Sequence, residues 1–415
     1  MKCDEYTNVH LMQTWLIFVS PGHLEYSSSL GTNSATEANS WRSRLRKLLG
    51  LCKSHEHPTS CRNKHIMAFS FNFGGDDIDQ TVDQDVPTLD APSDMNATSE
   101  VQAPLVNVMQ HDLRQLYETL PDRLCYSTAQ ITSPTGKTLL LPRRELFDIR
   151  VQLMSEASAE NDNDATLRDL EQTDLRTNVY EGGFKTWECS IDLSSLLLDR
   201  GPRKDIDELV RCDGVVELGA GSALPSLTLF QHALRNGIAQ TFTLTDYNSS
   251  VLRLVTLPNL ILTWAATTSP PLIDLAAEPS GDLENIPALF PEFLASLAAS
   301  HIQLSFISGP WGPTLASLIP ESAPDMGSLI LASETIYSPA STTAFVDLLI
   351  NLLSRTKMAK AIVAAKRFYF GVGGSVDHLK EVCAEKGAVA YEVENSGVPG
   401  MESGVGRALV EVQMY

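Results

Sequence analysis

The stretch that most constrains the fold is Val215-Val216-Glu217-Leu218-Gly219-Ala220-Gly221-Ser222-Ala223-Leu224-Pro225. A β-branched run ends in an acid, two glycines follow with one small residue between them, and an apolar helical pattern continues to about Leu234. This reads as strand, tight loop and helix. The backbone must turn sharply at the carboxyl end of the strand and leave room for a ligand against the main chain, which glycine permits. A dinucleotide loop asks for a third glycine where Leu224 stands, and a phosphate-cradling loop asks for a lysine that does not follow. Both phosphate readings are therefore weakened.

The flanking sequence decides what the loop belongs to. Strands are expected at 215–218, 241–245, 302–307, 328–332 and 360–365, with helical patterns at 191–198, 224–234, 249–264, 292–300 and 342–353. That alternation predicts an α/β fold with a Rossmann-like, doubly wound parallel sheet. Two further strands are expected at 388–393 and 407–413. Between them Asn395-Ser396-Gly397-Val398-Pro399-Gly400 is too broken for a crossover helix, so these two should run antiparallel. The expected sheet has seven strands, six in one sense and the last reversed.

Upstream, residues 1–66 carry Arg42, Arg44, Arg46, Lys47, Lys53, Arg62 and Lys64 and read as a disordered or import-type extension, with Met67 looking like a second beginning. Cys52, His55, His57, Cys61 and His65 match no standard zinc spacing, and no metal site is assigned. Residues 67–110 read as an acidic linker and 111–178 as an accessory segment, with helical character at 113–120, a short strand at 139–141 and a mixed amphipathic element at 145–154. Residues 179–415 form the expected main domain.

The net charge of -20 argues against a general nucleic-acid clamp and suits a basic partner. Seven scattered cysteines argue for free thiols in a reducing compartment. The apolar run 11–19 is too short to span a bilayer.

Several rim positions carry candidate chemistry. Asp246, one βαβ step after the glycine loop, suits hydrogen bonds to ribose hydroxyls, while Asp246 or Asn248 also suits a helix N-cap. Trp311, after the third strand, either stacks on a planar ligand or plugs the core. Glu334 and Tyr337, after the fourth, either border a reaction site or serve as a cap and a surface aromatic. Tyr369 and Phe370 lead into Gly371-Val372-Gly373-Gly374 and suit a wall, a lid or a cover over the sheet end.

Taken in series, Val179-Tyr180-Glu181-Gly182-Gly183 with Lys185, Trp187 and Glu188, then Glu217 to Ala223, Asp246-Tyr247-Asn248, Val255-Thr256-Leu257-Pro258-Asn259, Ser333-Glu334-Thr335-Ile336-Tyr337 and Tyr369 to Gly374, resemble the eukaryotic protein-histidine N-methyltransferase family. These are seven-β-strand enzymes that use S-adenosyl-L-methionine (SAM) and modify a histidine of ribosomal protein three of the large subunit. Departures are Ala223 where many relatives have glycine, Pro310 where an acid is common, and Ser375 at the end of a glycine run.

The resemblance implies that Trp187, Glu217, Gly219, Gly221, Asp246, Asn248, Trp311 and Ser333 hold SAM. Glu334 is the candidate acceptor for a substrate imidazole N–H, with Tyr337, Tyr369 and Phe370 as walls. The expected partner is a basic protein, in cytoplasm and nucleus, with no DNA or membrane. A neutral imidazole asks mainly for orientation, exclusion of water and one acceptor. A protein-lysine methyltransferase on the same scaffold and a noncatalytic ribosome-assembly adaptor are the rivals. The lysine enzyme would need to remove a proton first, and fold alone does not imply activity.

Overall fold

The computed structural model describes residues 106–156, 183–199, 212–323, 325–393, 397–401 and 404–415. The expected extension 1–66, the acidic stretch as far as 105, and motif positions 179–182, 395 and 396 lie outside the described residues. In chain order the first elements are β1 (Met109–His111), α1 (Leu113–Glu118), β2 (Arg123–Thr132), β3 (Thr138–Arg144), α2 (Leu146–Glu156) and α3 (Glu188–Asp199). The central ones are β4 (Cys212–Leu218), α4 (Leu224–Asn236), β5 (Gln240–Asp246) and α5 (Leu257–Ala265), the last entered through Ser249–Val251 and a π-helical stretch, Leu252–Thr256. Next come β6 (Ser280–Glu284), α6 (Ile286–Ala299), β7 (Ile302–Ser308), α7 (Pro313–Leu318) and β8 (Gly327–Ser333). The remainder are α8 (Pro339–Leu353), β9 (Lys360–Lys366), α9 (Val376–Glu385), β10 (Ala388–Glu392) and β11 (Arg407–Met414).

The large sheet has the order β1-β7-β5-β4-β8-β9-β11-β10. Strands β7, β5, β4, β8 and β9 pair in parallel, and β11 runs antiparallel to both β9 and β10. The seven expected strands are thus present with β11 alone reversed among them. An eighth, β1, adds antiparallel to β7 at the edge, so the 67–110 boundary expected for the acidic linker cuts through a strand. Three residues, Met-Gln-His, are too few to show an alternation.

Period two explains the layering. Val215, Leu329, Leu331, Ile362, Ala364 and Leu409 face one side and pack with α3, α4 and α5, while Val216, Ile330, Ala332, Ala361, Val363 and Val410 face the other and pack with α8 and α9. A sheet covered on both faces needs apolar residues at successive positions, which is why the strands read as runs. Helix α6 begins at Ile286 rather than 292. Pro287 sits in the first turn, where no N–H is needed, and Pro291 is tolerated inside the helix instead of starting it.

A second, antiparallel sheet has the order β3-β2-β6. Strand β3 extends the expected 139–141 segment, whereas β2 and β6 were not expected. β6 buries only Leu283, so its sequence carries almost no periodic signal and its shape comes from pairing with β2. Arg144 ends β3 and is buried. Its Nε donates to Asp148 Oδ2 at 2.6 Å, its Nη1 to the Leu254 carbonyl at 3.0 Å, and its backbone N–H to Asn259 Oδ1 at 2.7 Å. Pro258 has no N–H to offer the Leu254 carbonyl four residues back, and the guanidinium supplies the missing donor.

Candidate active site

The site is assembled at the carboxyl ends of β4, β5, β7 and β8. Gly219 and Gly221 take φ of 69° and 50°, a region that residues with a Cβ avoid. A Cβ on Gly219 would come 3.0 Å from Thr335 Cγ2. Ala223, the departure from glycine noted above, also has positive φ, 58°, at the N-cap of α4; an L-residue there costs about 1–2 kcal/mol. The loop is held from several sides. Gly221 N–H donates to Asp246 Oδ2 at 3.0 Å, Thr256 Oγ1 donates to the Gly221 carbonyl at 2.8 Å, and Asn259 Nδ2 donates to the Ser222 carbonyl at 3.0 Å.

Asp246 combines two tasks. One carboxylate oxygen ties down the glycine loop, and the other accepts the Asn248 N–H at 3.2 Å, an Asx turn into the next helical segment. Glu217 is buried, with Oε2 accepting the Ser226 N–H in the first turn of α4 at 3.0 Å. Burial, opposed by the Ser226 hydrogen bonds and reinforced by Asp246, pushes its carboxyl up to about 8.

At the far rim Glu334 has φ of 59°, so a non-glycine residue sits in a strained conformation of the kind that recurs at functional sites. Its N–H donates to the Ala364 carbonyl at 3.0 Å, and its side chain is 7% exposed. Lys366 Nζ lies 3.6 Å from Oε1, yet that oxygen accepts no hydrogen bond among the described residues. Ser333 Oγ and Thr335 Oγ1 are likewise buried without partners there. The thiol of Cys189 and the phenol of Tyr369 flank Glu334; burial first, and then the Glu334 charge, pushes both up.

These walls enclose a cavity of about 300 Å³. Of the residues expected from sequence, Trp187, Glu217, Gly219, Gly221, Asp246, Trp311, Ser333, Glu334 and Tyr337 line it. Three do not. Asn248 contributes its backbone to the Asp246 turn, Tyr369 lies buried behind Glu334, and Phe370 is 82% exposed. Trp311 lines the cavity and packs edge-on against Phe345 with centroids 5.4 Å apart. Not anticipated as site residues were Thr256 and Asn259, which brace the loop, and Thr335, Ser190 and Lys366. Polar side chains inside the apolar run 252–265 were the available signal for the first two, since a fully buried Asn or Thr needs a partner.

Trp187 precedes α3, whose Asp192 pairs with Arg407 on β11 at 2.5 Å and again at 3.3 Å. That pair fixes the helix that follows the indole. The result is a concave site with a backbone-lined floor, two indoles and carboxylates at both ends. It suits a ligand that carries positive charge and an aromatic ring.

No family model matches the chain. Histidine protein methyltransferase 1 of Saccharomyces cerevisiae is 37% identical over 353 residues, covering 77% of this chain and 91% of the relative. The protein of the same name in Schizosaccharomyces pombe is 39% identical over 293 residues, covering 69% and 80%. The Rattus norvegicus homolog is 31% identical over 242 residues, covering 58% and 59%. With two relatives matched along most of their length, and the glycine loop and rim acids in place, the chain belongs to the histidine protein methyltransferase 1 family.

Proposed function

We propose that the chain transfers a methyl group from SAM to an imidazole nitrogen of a histidine in a protein. The observation that carries this reading is the carboxylate of Glu334, a residue that lines the cavity and whose buried Oε1 accepts no hydrogen bond among the described residues. The residues fit the donor. A Cβ on either loop glycine would crowd the cradle, Asp246 suits ribose hydroxyls, and the indoles of Trp187 and Trp311 suit a purine. When bound, SAM supplies an electrophilic methyl on a sulfonium whose sulfur keeps the bonding electron pair after transfer.

The protein's own part is orientation. Glu334 Oε1 accepts the N–H of one imidazole nitrogen and so turns the lone pair of the other into the cavity. Tyr337 confines the ring, and the half-buried Trp187 and Trp311 exclude water. After transfer the ring is cationic, and its remaining N–H proton leaves through Glu334.

The target we propose is ribosomal protein three of the large subunit, encountered in cytoplasm and nucleus. The chain's charge of -20 favours encounter with so basic a protein. The test is to incubate the protein with methyl-labelled SAM and a hypomethylated ribosomal extract, then identify the labelled residue. Methylhistidine in that protein supports the reading; label on lysine, or none despite SAM binding by calorimetry, refutes it.

A further inference from the structure

Lys366 ends β9 beside the candidate acceptor. Its Nζ lies 3.6 Å from Glu334 Oε1, 5.1 Å from the centre of the Trp187 ring and 6.0 Å from that of Tyr369. A carboxylate flanked by aromatic rings is a station for an ammonium ion, because ring quadrupoles and carboxylate charge attract the same cation. Here the chain's own ammonium fills it. Resting on the function proposed above, we infer that Lys366 is a specificity-determining residue: its ammonium takes up the Glu334 charge that a substrate ammonium would otherwise draw on, while at 3.6 Å it places no hydrogen bond on Oε1, which a neutral imidazole N–H can use.

The separation makes both halves work. At 3.6 Å the ammonium is close enough to repel a second cation but outside normal hydrogen-bond reach, and Oε1 keeps its acceptor position. A lysine side chain arrives protonated at neutral pH and would have to settle within a few ångströms of Lys366, whereas an imidazole arrives largely uncharged. Lys366 is also held in place. Its backbone N–H donates to Tyr369 Oη at 3.3 Å, its strand neighbour across β11 is Arg407, and its side chain is only 25% exposed. Arg407 is committed to Asp192 and the Gly400 carbonyl, so Lys366 is the cation that reaches Glu334 among the described residues.

The test uses the full chain with methyl-labelled SAM and the protein substrate labelled by the wild type, prepared in two forms, one with its target histidine and one with lysine there. Wild type should label only the histidine form. Lys366→Met should lose part of its histidine activity and label the lysine form, moving the product ratio toward lysine by ~10-fold or more. Lys366→Arg, which keeps a cation over the rings, should hold the wild-type ratio. Calorimetric binding of S-adenosylhomocysteine and a thermal melt establish that each variant is folded, and Lys366→Gln takes the place of the Met variant should that one not fold. An unchanged ratio in a folded, neutral variant overturns the inference while leaving histidine methylation standing. Wild-type label on the lysine form alone overturns the histidine reading itself, and this inference with it.

Discussion

The flank built on the small antiparallel sheet and the rim of the large sheet treat buried charge in opposite ways. In the flank Arg144 bonds directly to Asp148, the Leu254 carbonyl and Asn259, all within 3.0 Å, with only its Nη2 lacking a partner among the described residues. At the rim the Glu334 side chain is 7% exposed, its cation stands off at 3.6 Å and Oε1 accepts no hydrogen bond among the described residues. Leaving a buried acceptor unmade costs about 1–3 kcal/mol. The contrast is between a buried ion pair closed by a direct hydrogen bond and one held apart.

The comparison can be broken most forcefully in the flank. Arg144→Met strands the Asp148 carboxylate and frees the Leu254 carbonyl, so denaturant unfolding should show a loss of about 3–5 kcal/mol. A loss within the scatter of surface substitutions would mean that the pair is not structural. At the rim Glu334→Gln should do the reverse, lowering turnover on histidine by about 100-fold while leaving the unfolding free energy nearly unchanged. Full turnover with unaltered substrate binding would remove Glu334 from the reaction.

Glu217 sharpens the contrast through pH. Burial raises its folded value from 4.5 to about 8, so between those values the folded chain holds a proton that the unfolded chain has released. Its contribution is therefore most favourable below about pH 4.5 and is lost as pH climbs toward 8. Glu217→Gln should be more stable than wild type at pH 8.5 by on the order of 4 kcal/mol, with the gap closing in acid; equal unfolding profiles across that range would count against a neutral buried carboxyl.

The smallest effect belongs to Glu392, which Arg367 and Lys380 hold down to about 2 on the surface beyond the site. That lowered value gives stability present above the usual 4.5 and lost as pH falls through about 2. Because the group is partly solvated, Glu392→Gln should cost under about 1 kcal/mol, and high salt should erase the difference.

Most of the large sheet was legible because strands covered on both faces must be apolar at consecutive positions, and because glycines mark the turn after β4. What escaped notice depends on partners far along the chain. Strand β6 exists through β2, and Asn259 reads as a stray polar residue in a core helix until the Ser222 carbonyl and Arg144 N–H are seen beside it. The rim acids were legible by position after each strand, but the facing of adjacent aromatics was not. Tyr369 turns inward toward Glu334 and its neighbour Phe370 turns out to solvent, a choice made by loop geometry rather than by residue type.

The placing of β11 between two strands that precede it in the chain has a consequence for how the molecule comes together. During synthesis β9 presents a bare edge and β10 has nothing to zip onto until residues 407–414 emerge and slide into the gap. Arg407 opens that latecomer, so the clasp on α3, the helix that follows Trp187, is fastened in the same event. A nascent chain therefore acquires its last sheet contacts and one wall of the rim cavity together, and a chaperone that shields the β9 edge would be guarding the candidate site as much as solubility.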